Sequence, residues 1–175
     1  MQINYCTQWS RHNNRPVDLL TEEQARAAHE DGKLYTVLVG DRLRPYCFLE
    51  FTAFRSVGVE FLDTALRTYL DYSFQEKLRN ELFISMSRRL EFPNDVDLAD
   101  RATVLFFKTD GQLKIERFKS NPDGIGSKRV GEESRVVDVT YNWERYPRFG
   151  DYAGLATRDR CPPLLSDPRV ESNKI

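Results

Sequence analysis

The sequence predicts an α+β protein, a long twisted antiparallel sheet built as a meander of hairpins with one short N-terminal helix and few other helices. In each of three segments an apolar strand runs into an Asp-containing turn and returns as an alternating strand; the segments are residues 37–51, 59–74 and 104–118. Asp and Gly suit such turns because both tolerate a positive φ, and Asp also hydrogen-bonds its own backbone. We therefore expect turns near Asp41, Asp63 and Asp110.

The chain before these hairpins predicts a strand, a loop and a helix. Residues 2–9 are the first strand candidate, and the polar stretch of residues 10–16 is typical of a loop. Thr21 and Gln24 form a capping-box pattern, in which the Thr hydroxyl accepts from the backbone three residues on while Gln24 reaches back. Alanines follow and Asp31 precedes a glycine, so the pattern predicts a helix over residues 21–31.

From residue 33 onward the apolar period becomes two, which is typical of half-buried strands. Leu70, Tyr72 and Phe74, for example, share one face of such a strand. Residues 64–86 also contain apolar side chains four apart, a helical spacing. Because β-formers and alternation dominate this stretch, we predict strands through Phe74 and again from Glu81.

The C-terminal half predicts one clear hairpin followed by irregular chain. Residues 93–100 form an acidic loop, residues 119–134 contain turn signals and are expected to be a mobile loop, and residues 135–143 are expected to form a final strand. The proline-containing stretch after Cys161 has no periodicity. We therefore expect one globular domain over residues 1–160 and an irregular C-terminal tail over residues 161–175.

The predicted core consists of apolar residues on the shared face of these strands. They are Phe61, Leu70, Tyr72, Leu82, Ile84, Phe106, Ile115 and Val139.

Composition argues against several classes of partner. With 26 basic and 27 acidic side chains the net charge is -1, so no overall field attracts nucleic acid or an anionic membrane. The sequence has no apolar run of roughly 18 residues and no signal-peptide pattern at its start. Cys6, Cys47 and Cys161 lack metal-type spacing and are typical of thiols in a reducing compartment. We expect a cytoplasmic protein that binds neither membrane nor nucleic acid directly.

Catalytic motifs are not evident in the sequence. The two histidines, His12 and His29, are each more easily explained as structural residues than as partners of a nucleophile. Gly-rich phosphate loops, paired-Cys motifs and zinc-protease motifs are missing, and the acidic loop lacks the glycine and glutamate of a calcium loop. We expect no catalytic residue, no metal and no cofactor.

Two regions of the sequence have the composition of a protein-binding surface. Residues 141–152 combine aromatic residues with arginine and glutamate, the types that dominate interface energetics. A polar sheet face is also expected, because Glu60 and Asp71 lie opposite the apolar residues of their strands. A sheet face that a helix covers would be apolar, so this polar face is expected to meet water or a polar partner. Eight residues from these regions are the predicted partner-binding set: Glu60, Tyr69, Asp71, Glu116, Asp138, Glu144, Tyr146 and Arg148.

Five segments together resemble the small immunity proteins of bacterial polymorphic or contact-delivered (type VI or Rhs-type) toxin systems. They are residues 59–63, 69–74, 82–86, 107–111 and 142–152, and the resemblance spans roughly residues 33–160. It implies a cytoplasmic protein that binds one cognate toxin effector domain and occludes its active site. No catalytic residue is implied.

Two other classes of function stay open at this point. A small hydrolase or transferase could use the carboxylates of the sheet face, and a curved sheet could close over a small ligand. If Glu60, Asp71 and Glu116 converge in a deep pocket with raised pKa values, an enzyme is favoured; a flat or convex polar face favours an inhibitor.

Overall fold

A computed structural model describes residues 2–93, 98–121 and 126–160 of the chain. It contains one α-helix, one short 3-10 helix and eleven strands. These are β1 (Ile3–Ser10), β2 (Arg15–Leu20), α1 (Glu22–Glu30), β3 (Tyr35–Gly40), β4 (Pro45–Phe51), β5 (Ser56–Leu62), β6 (Thr68–Leu78), β7 (Glu81–Glu91), β8 (Arg101–Phe107), β9 (Gln112–Ser120), β10 (Ser127–Val136), the 3-10 helix Thr140–Asn142 and β11 (Trp143–Arg145).

The strands form one antiparallel sheet in which β3 to β10 follow each other in sequence order. At the other end β1 pairs with β3 and β2 pairs with β1, while β11 pairs with β7. The antiparallel meander is therefore confirmed. With a single α-helix among the residues that the structure describes, the protein is richer in β-structure than the predicted α+β class suggests.

The three predicted Asp turns are confirmed, and in each of them the Asp carboxylate accepts a hydrogen bond from the backbone of the turn. The Oδ1 atom of Asp41 accepts from the backbone N–H of Leu43 and Arg44, and that of Asp63 accepts from Ala65 and Arg67. Asp110 Oδ1 accepts from Gln112 N–H at 3.0 Å. Each carboxylate satisfies backbone donors that the turn leaves without a strand partner.

The predicted helix is confirmed together with its capping box. Thr21 Oγ1 accepts from Gln24 N–H at 3.3 Å, and Gln24 Oε1 accepts from Thr21 N–H at 2.9 Å. The strands predicted for residues 64–86 are also confirmed, since β6 and β7 occupy this stretch and exclude the helical alternative.

The main core lies on one face of the sheet, here called the covered face. The helix α1 and the segment of residues 137–156 pack against it, with Tyr152 and Leu155 fully buried. Six predicted core residues are buried there: Phe61, Leu70, Tyr72, Leu82, Ile84 and Ile115. Val139 is only half-buried at the edge of this core.

The prediction that Phe106 is buried is wrong. Phe106 is 39% exposed, because its neighbours Leu105 and Phe107 turn toward the core and strand alternation places Phe106 on the opposite face. A continuous apolar run does not indicate which of its residues face inward.

The opposite face, here called the open face, has a smaller core of its own near β1, β3 and β4. Trp9 stacks on Phe48 with 5.8 Å between ring centroids, and both are buried with Cys6, Leu38 and Leu62. The sheet therefore has apolar packing on both faces at this end.

One predicted loop is longer than the observed turn, and two predictions for the C-terminal half are wrong. The predicted loop of residues 10–16 is a short turn that leads into β2, and most of the predicted mobile loop of residues 119–134 belongs to β9 and β10. The predicted final strand of residues 135–143 instead leaves the sheet after Val136 and forms the 3-10 helix before β11. Both β2 and β10 are edge strands that are largely exposed, so they lack the alternation that marks a half-buried strand.

Residues 161–175 and part of the acidic loop, residues 94–97, lie outside the described residues. The division into a domain over residues 1–160 and a tail over residues 161–175 stays a prediction. No helix in the described part of the chain is both long and apolar enough to span a membrane.

Candidate functional site

Two neighbouring rows of cross-strand partners define the two faces of the sheet. One row crosses eight adjacent strands of the covered face, from Val37 through Leu49, Val59, Tyr72, Ser87, Leu105 and Ile115 to Glu133. The next row lies on the open face and runs from Leu38 through Phe48, Glu60, Asp71, Arg88, Val104 and Glu116 to Glu132. Register alone therefore brings three predicted site residues, Glu60, Asp71 and Glu116, onto one face.

Glu60 is held by an arginine from the other end of the sheet. Arg11, in the turn between β1 and β2, donates from Nε to Glu60 Oε1 at 3.0 Å and from Nη2 to Glu50 Oε2 at 2.7 Å. Thr68 Oγ1 donates to Glu60 Oε2 at 2.7 Å, and the Arg11 guanidinium lies 5.3 Å from the centre of the Phe48 ring. The carboxylate of Glu60 thereby ties the first hairpin across the open face.

Asp71, directly opposite Glu60, is paired with an arginine of β7. Arg88 Nε donates to Asp71 Oδ2 at 2.7 Å. Burial raises the pKa of Asp71 above its usual value, and the nearby Arg88 guanidinium partly offsets that effect. Asp71 is thus a desolvated carboxylate with one ionic partner.

Glu116 lies in a network of four charges at the β9–β10 end. Lys114 Nζ is 2.7 Å from Glu116 Oε1 and 3.4 Å from Glu132 Oε1. Arg129 Nη1 contacts the same two carboxylates at 3.2 Å and 2.5 Å. The hydrogen bond from Lys114 lowers the pKa of Glu116, so this carboxylate stays ionised although Glu132 lies directly opposite.

The charges that a partner can reach on this face are mainly positive. The side chains of Glu60, Asp71 and Glu116 are only 12%, 8% and 14% exposed. Their cationic partners Arg11, Arg88, Lys114 and Arg129 are 43–52% exposed. Each of the three carboxylates is covered by the cation it binds, so the cations lie outermost at these positions.

An apolar strip, exposed at Phe106 but buried at Val104, follows β8 between these charges. Ala102, Val104 and Phe106 lie along the strand on the open face, with Leu90 of β7 and Phe118 of β9 beside them. Two clefts adjoin this strip. One of about 400 Å³ is lined by Leu90, Ala102, Val104 and Phe118 with Arg88, and one of about 550 Å³ is lined by Phe106, Lys114, Ser134 and Val136.

Tyr69, Glu144 and Tyr146 lie on the covered side of the sheet. Tyr69 packs against the main core and interacts with the Arg158 guanidinium. Glu144 lies in β11 and forms an ion pair with Arg160. Tyr146 is half-buried beneath the Arg55 guanidinium, which lies 4.1 Å from its ring centre.

Arg148 and Asp138 are exposed, but neither belongs to the open face. Arg148 lies in the segment that crosses the covered face. Asp138 Oδ1 accepts from Thr140 N–H at 2.8 Å and from Thr140 Oγ1 at 2.6 Å, and these hydrogen bonds lower the pKa of Asp138. The eight predicted residues therefore divide between two sides of the sheet and do not form one continuous surface.

His29 joins α1 to the segment that crosses the covered face. Its Nδ1 lies 2.8 Å from the Tyr35 hydroxyl, and its ring packs edge-on or tilted against Phe51, Tyr146 and Phe149. Burial lowers its pKa. Within residues 2–93, 98–121 and 126–160, no group of three or more His, Cys, Asp or Glu side chains is placed to hold a metal ion.

The predicted partner-binding set does not include the cations of the open face. Arg88 could not have been found by alternation from Leu82 and Ile84, because the register shift between Ser73 and Phe74 moves it to the open face, opposite Asp71. Arg11 and Arg129 could not be found either, since both lie in stretches that the composition assigns to loops.

Comparison with protein-family models, with curated proteins and with solved structures gives no significant match for this chain.

Proposed function

We propose that this chain is an immunity protein, a protein-binding inhibitor that occludes the active site of a cognate toxin domain in the bacterial cytoplasm. We further propose that the toxin docks on the open face over β7 to β10. The observation that carries this proposal is an apolar strip that is exposed at Phe106 and flanked by cations that buried carboxylates hold in place.

The apolar strip supplies the kind of contact that gives affinity in protein interfaces. Phe106 is 39% exposed beside the larger cleft, and Val136 is 79% exposed at its rim. Aromatic side chains and arginine carry a disproportionate part of binding energy when they become fully desolvated at the centre of an interface. Phe106, which lines the larger cleft, and Arg88, which lines the smaller one, are the candidates for that role.

The held cations support a partner with acidic groups. Arg88 and Lys114 each lose little side-chain freedom on binding, because Asp71 and Glu116 already hold them at 2.7 Å. Their remaining N–H groups can donate to a partner's carboxylates. Complementary charges of this kind accelerate encounter and select the partner.

The geometry supports an enzyme less well. Asp71 and Glu116 are separated by three strand spacings, or about 14 Å, which exceeds the separation of paired carboxylates in glycoside hydrolysis. Glu60 and Asp71 are closer, but each is covered by an arginine. Neither of the two clefts beside β8 is lined by Glu60, Asp71 or Glu116.

The test uses the toxin domain encoded by the gene next to that of this chain. We expect the purified chain to bind this domain, to block its activity in vitro and to restore growth of cells that express it. Arg88→Ala with Lys114→Ala should slow association and reduce its salt dependence.

Lys77→Ala with Arg79→Ala is the matched control and should leave association unchanged; both cations are exposed, Lys77 near the end of β6 and Arg79 in the turn that follows it. A chain that does not bind the neighbouring toxin domain would refute the proposed function. Binding that is insensitive to the first pair and sensitive to the second would place the interface elsewhere.

A further inference from the structure

We propose that β10 is a self-association edge, through which two copies of this chain pair antiparallel and continue the sheet across a twofold axis. This inference does not depend on the proposed function. It rests on a free strand edge, a charge pattern that complements itself and a bulge that brings the complementary charges onto matching faces.

β10 terminates the sheet, and in the described part of the chain only β9 pairs with it. The other edge of a ten-residue strand therefore presents unpaired N–H and C=O groups. The opposite terminal strand, β2, is a poorer template. Pro16 lacks an N–H there, and Asp18 has a left-handed φ of 44° that interrupts the extended backbone.

Charged residues usually protect an edge because two copies repel each other. In β10 their order has the opposite effect: two cations, Lys128 and Arg129, precede Val130 and Gly131, and two acids, Glu132 and Glu133, follow. Antiparallel pairing centred between Val130 and Gly131 places Lys128 opposite the second copy's Glu133 and Arg129 opposite its Glu132. The twofold axis doubles each pair, so four oppositely charged pairs form.

Pairing across a twofold axis perpendicular to the sheet requires that opposed residues lie on the same face. Residues 128 and 133 would lie on opposite faces of a regular strand, because they are an odd number of positions apart. The bulge between Arg129 and Gly131 corrects this. Lys128 and Glu133 face Lys119 and Ile115 on one side of the sheet, whereas Arg129 and Glu132 face Phe118 and Glu116 on the other.

Two local features favour occupancy of this edge. Lys128 lies directly opposite Lys119 in its own sheet and makes no ion pair within the described residues, so a partner's carboxylate would relieve a like-charge contact. Val130 is 59% exposed next to the proposed axis and would pack against the second copy's Gly131. The open faces of the two copies would point in the same direction.

The experiment is sedimentation velocity of the full chain from micromolar concentration to about 1 mM, because a single-strand interface is small and its dimer weak. We expect the mass to rise with concentration from 20.5 kDa toward twice that value. Lys128→Glu with Arg129→Glu makes all four central charges of the edge acidic, and Glu132→Lys with Glu133→Lys makes all four basic. Each variant alone should stay monomeric, and an equimolar mixture of the two should dimerise.

Lys77→Glu with Arg79→Glu is the control for general charge effects and should dimerise like the unmodified chain. Circular dichroism establishes that each variant is folded. Zero-length carbodiimide cross-linking of mixed isotope-labelled and unlabelled chains tests the unmodified protein, and it should link Lys128 of one copy to Glu133 of the other. A monomer at all concentrations, an unchanged dimer in either edge variant, or a monomeric mixture would overturn the proposal.

Discussion

Replacing the largely buried carboxylates of the open face, Asp71 and Glu60, with lysine should destabilise the fold. Exposed carboxylates would tolerate the same change. Asp71→Lys removes the acceptor of a 2.7 Å ion pair and places a second cation beside Arg88, at a site that is only 8% exposed. Breaking a buried pair costs about 3–5 kcal/mol, and Arg88 can turn toward water, so about 3 kcal/mol is the expected loss. Glu60→Lys removes acceptors of both Arg11 and Thr68 and should cost a similar amount.

The assay is urea unfolding followed by tryptophan fluorescence. With a slope of about 2 kcal/mol per molar urea, a loss of 3 kcal/mol lowers the midpoint by about 1.5 M. The double variant, Glu60→Lys with Asp71→Lys, should approach complete unfolding, because the two losses together are comparable with the lower end of a total stability of about 5–15 kcal/mol. The two residues are neighbours, so their losses do not simply add.

Asp71→Asn is the control for this prediction. It keeps the shape and an acceptor for Arg88, and burial already disfavours the charged form, so it should shift the midpoint by less than about 0.5 M. If Asp71→Lys unfolds at the same urea concentration as the unmodified chain, the idea that buried carboxylates anchor the cations is refuted.

Two further predictions concern the covered face and one turn. Burial lowers the pKa of His29, so the unfolded chain binds a proton there before the folded chain does, and stability should fall as pH drops from about 6.5 toward the lower folded pKa. The urea midpoint should therefore differ between pH 7.5 and pH 5.5 by less in His29→Gln than in the unmodified chain. Equal differences in the two chains would contradict this. Gly111→Ala should cost about 1–3 kcal/mol, because its φ is 88° and a Cβ would lie 2.7 Å from the Val137 carbonyl oxygen. Gly32→Ala, with a φ of 64° and open space around it, should cost clearly less in the same unfolding assay, and equal costs would exclude the clash as the cause.

Local signals in the sequence were sufficient for the hairpins and the helix. The Asp41, Asp63 and Asp110 turns and the Thr21–Gln24 capping box depend on side chains that bond backbone groups a few residues away. Such interactions are encoded within a short window, so they can be predicted without knowledge of the tertiary fold.

The edge strands and the surface chemistry could not be predicted in the same way. β10 is exposed along nearly its whole length and therefore has neither an apolar stripe nor alternation. The position of Phe106 on the open face depends on which face of β8 meets the core. The pairing of Arg11 with Glu60, 49 residues apart, depends on strand register and order, which no local pattern specifies.

The most direct test of the proposed docking face compares two exposed phenylalanines. Phe106 lies on the apolar strip of the open face, whereas Phe54, 89% exposed, lies in the β4–β5 turn away from it. The measurement is the Kd for the neighbouring toxin domain, by titration calorimetry, of Phe106→Ala and of Phe54→Ala. We expect Phe106→Ala to weaken binding at least about tenfold, as truncation of a central aromatic does, and Phe54→Ala to leave it unchanged. An unchanged Kd for Phe106→Ala, together with a weakened one for Phe54→Ala, would contradict the proposed interface.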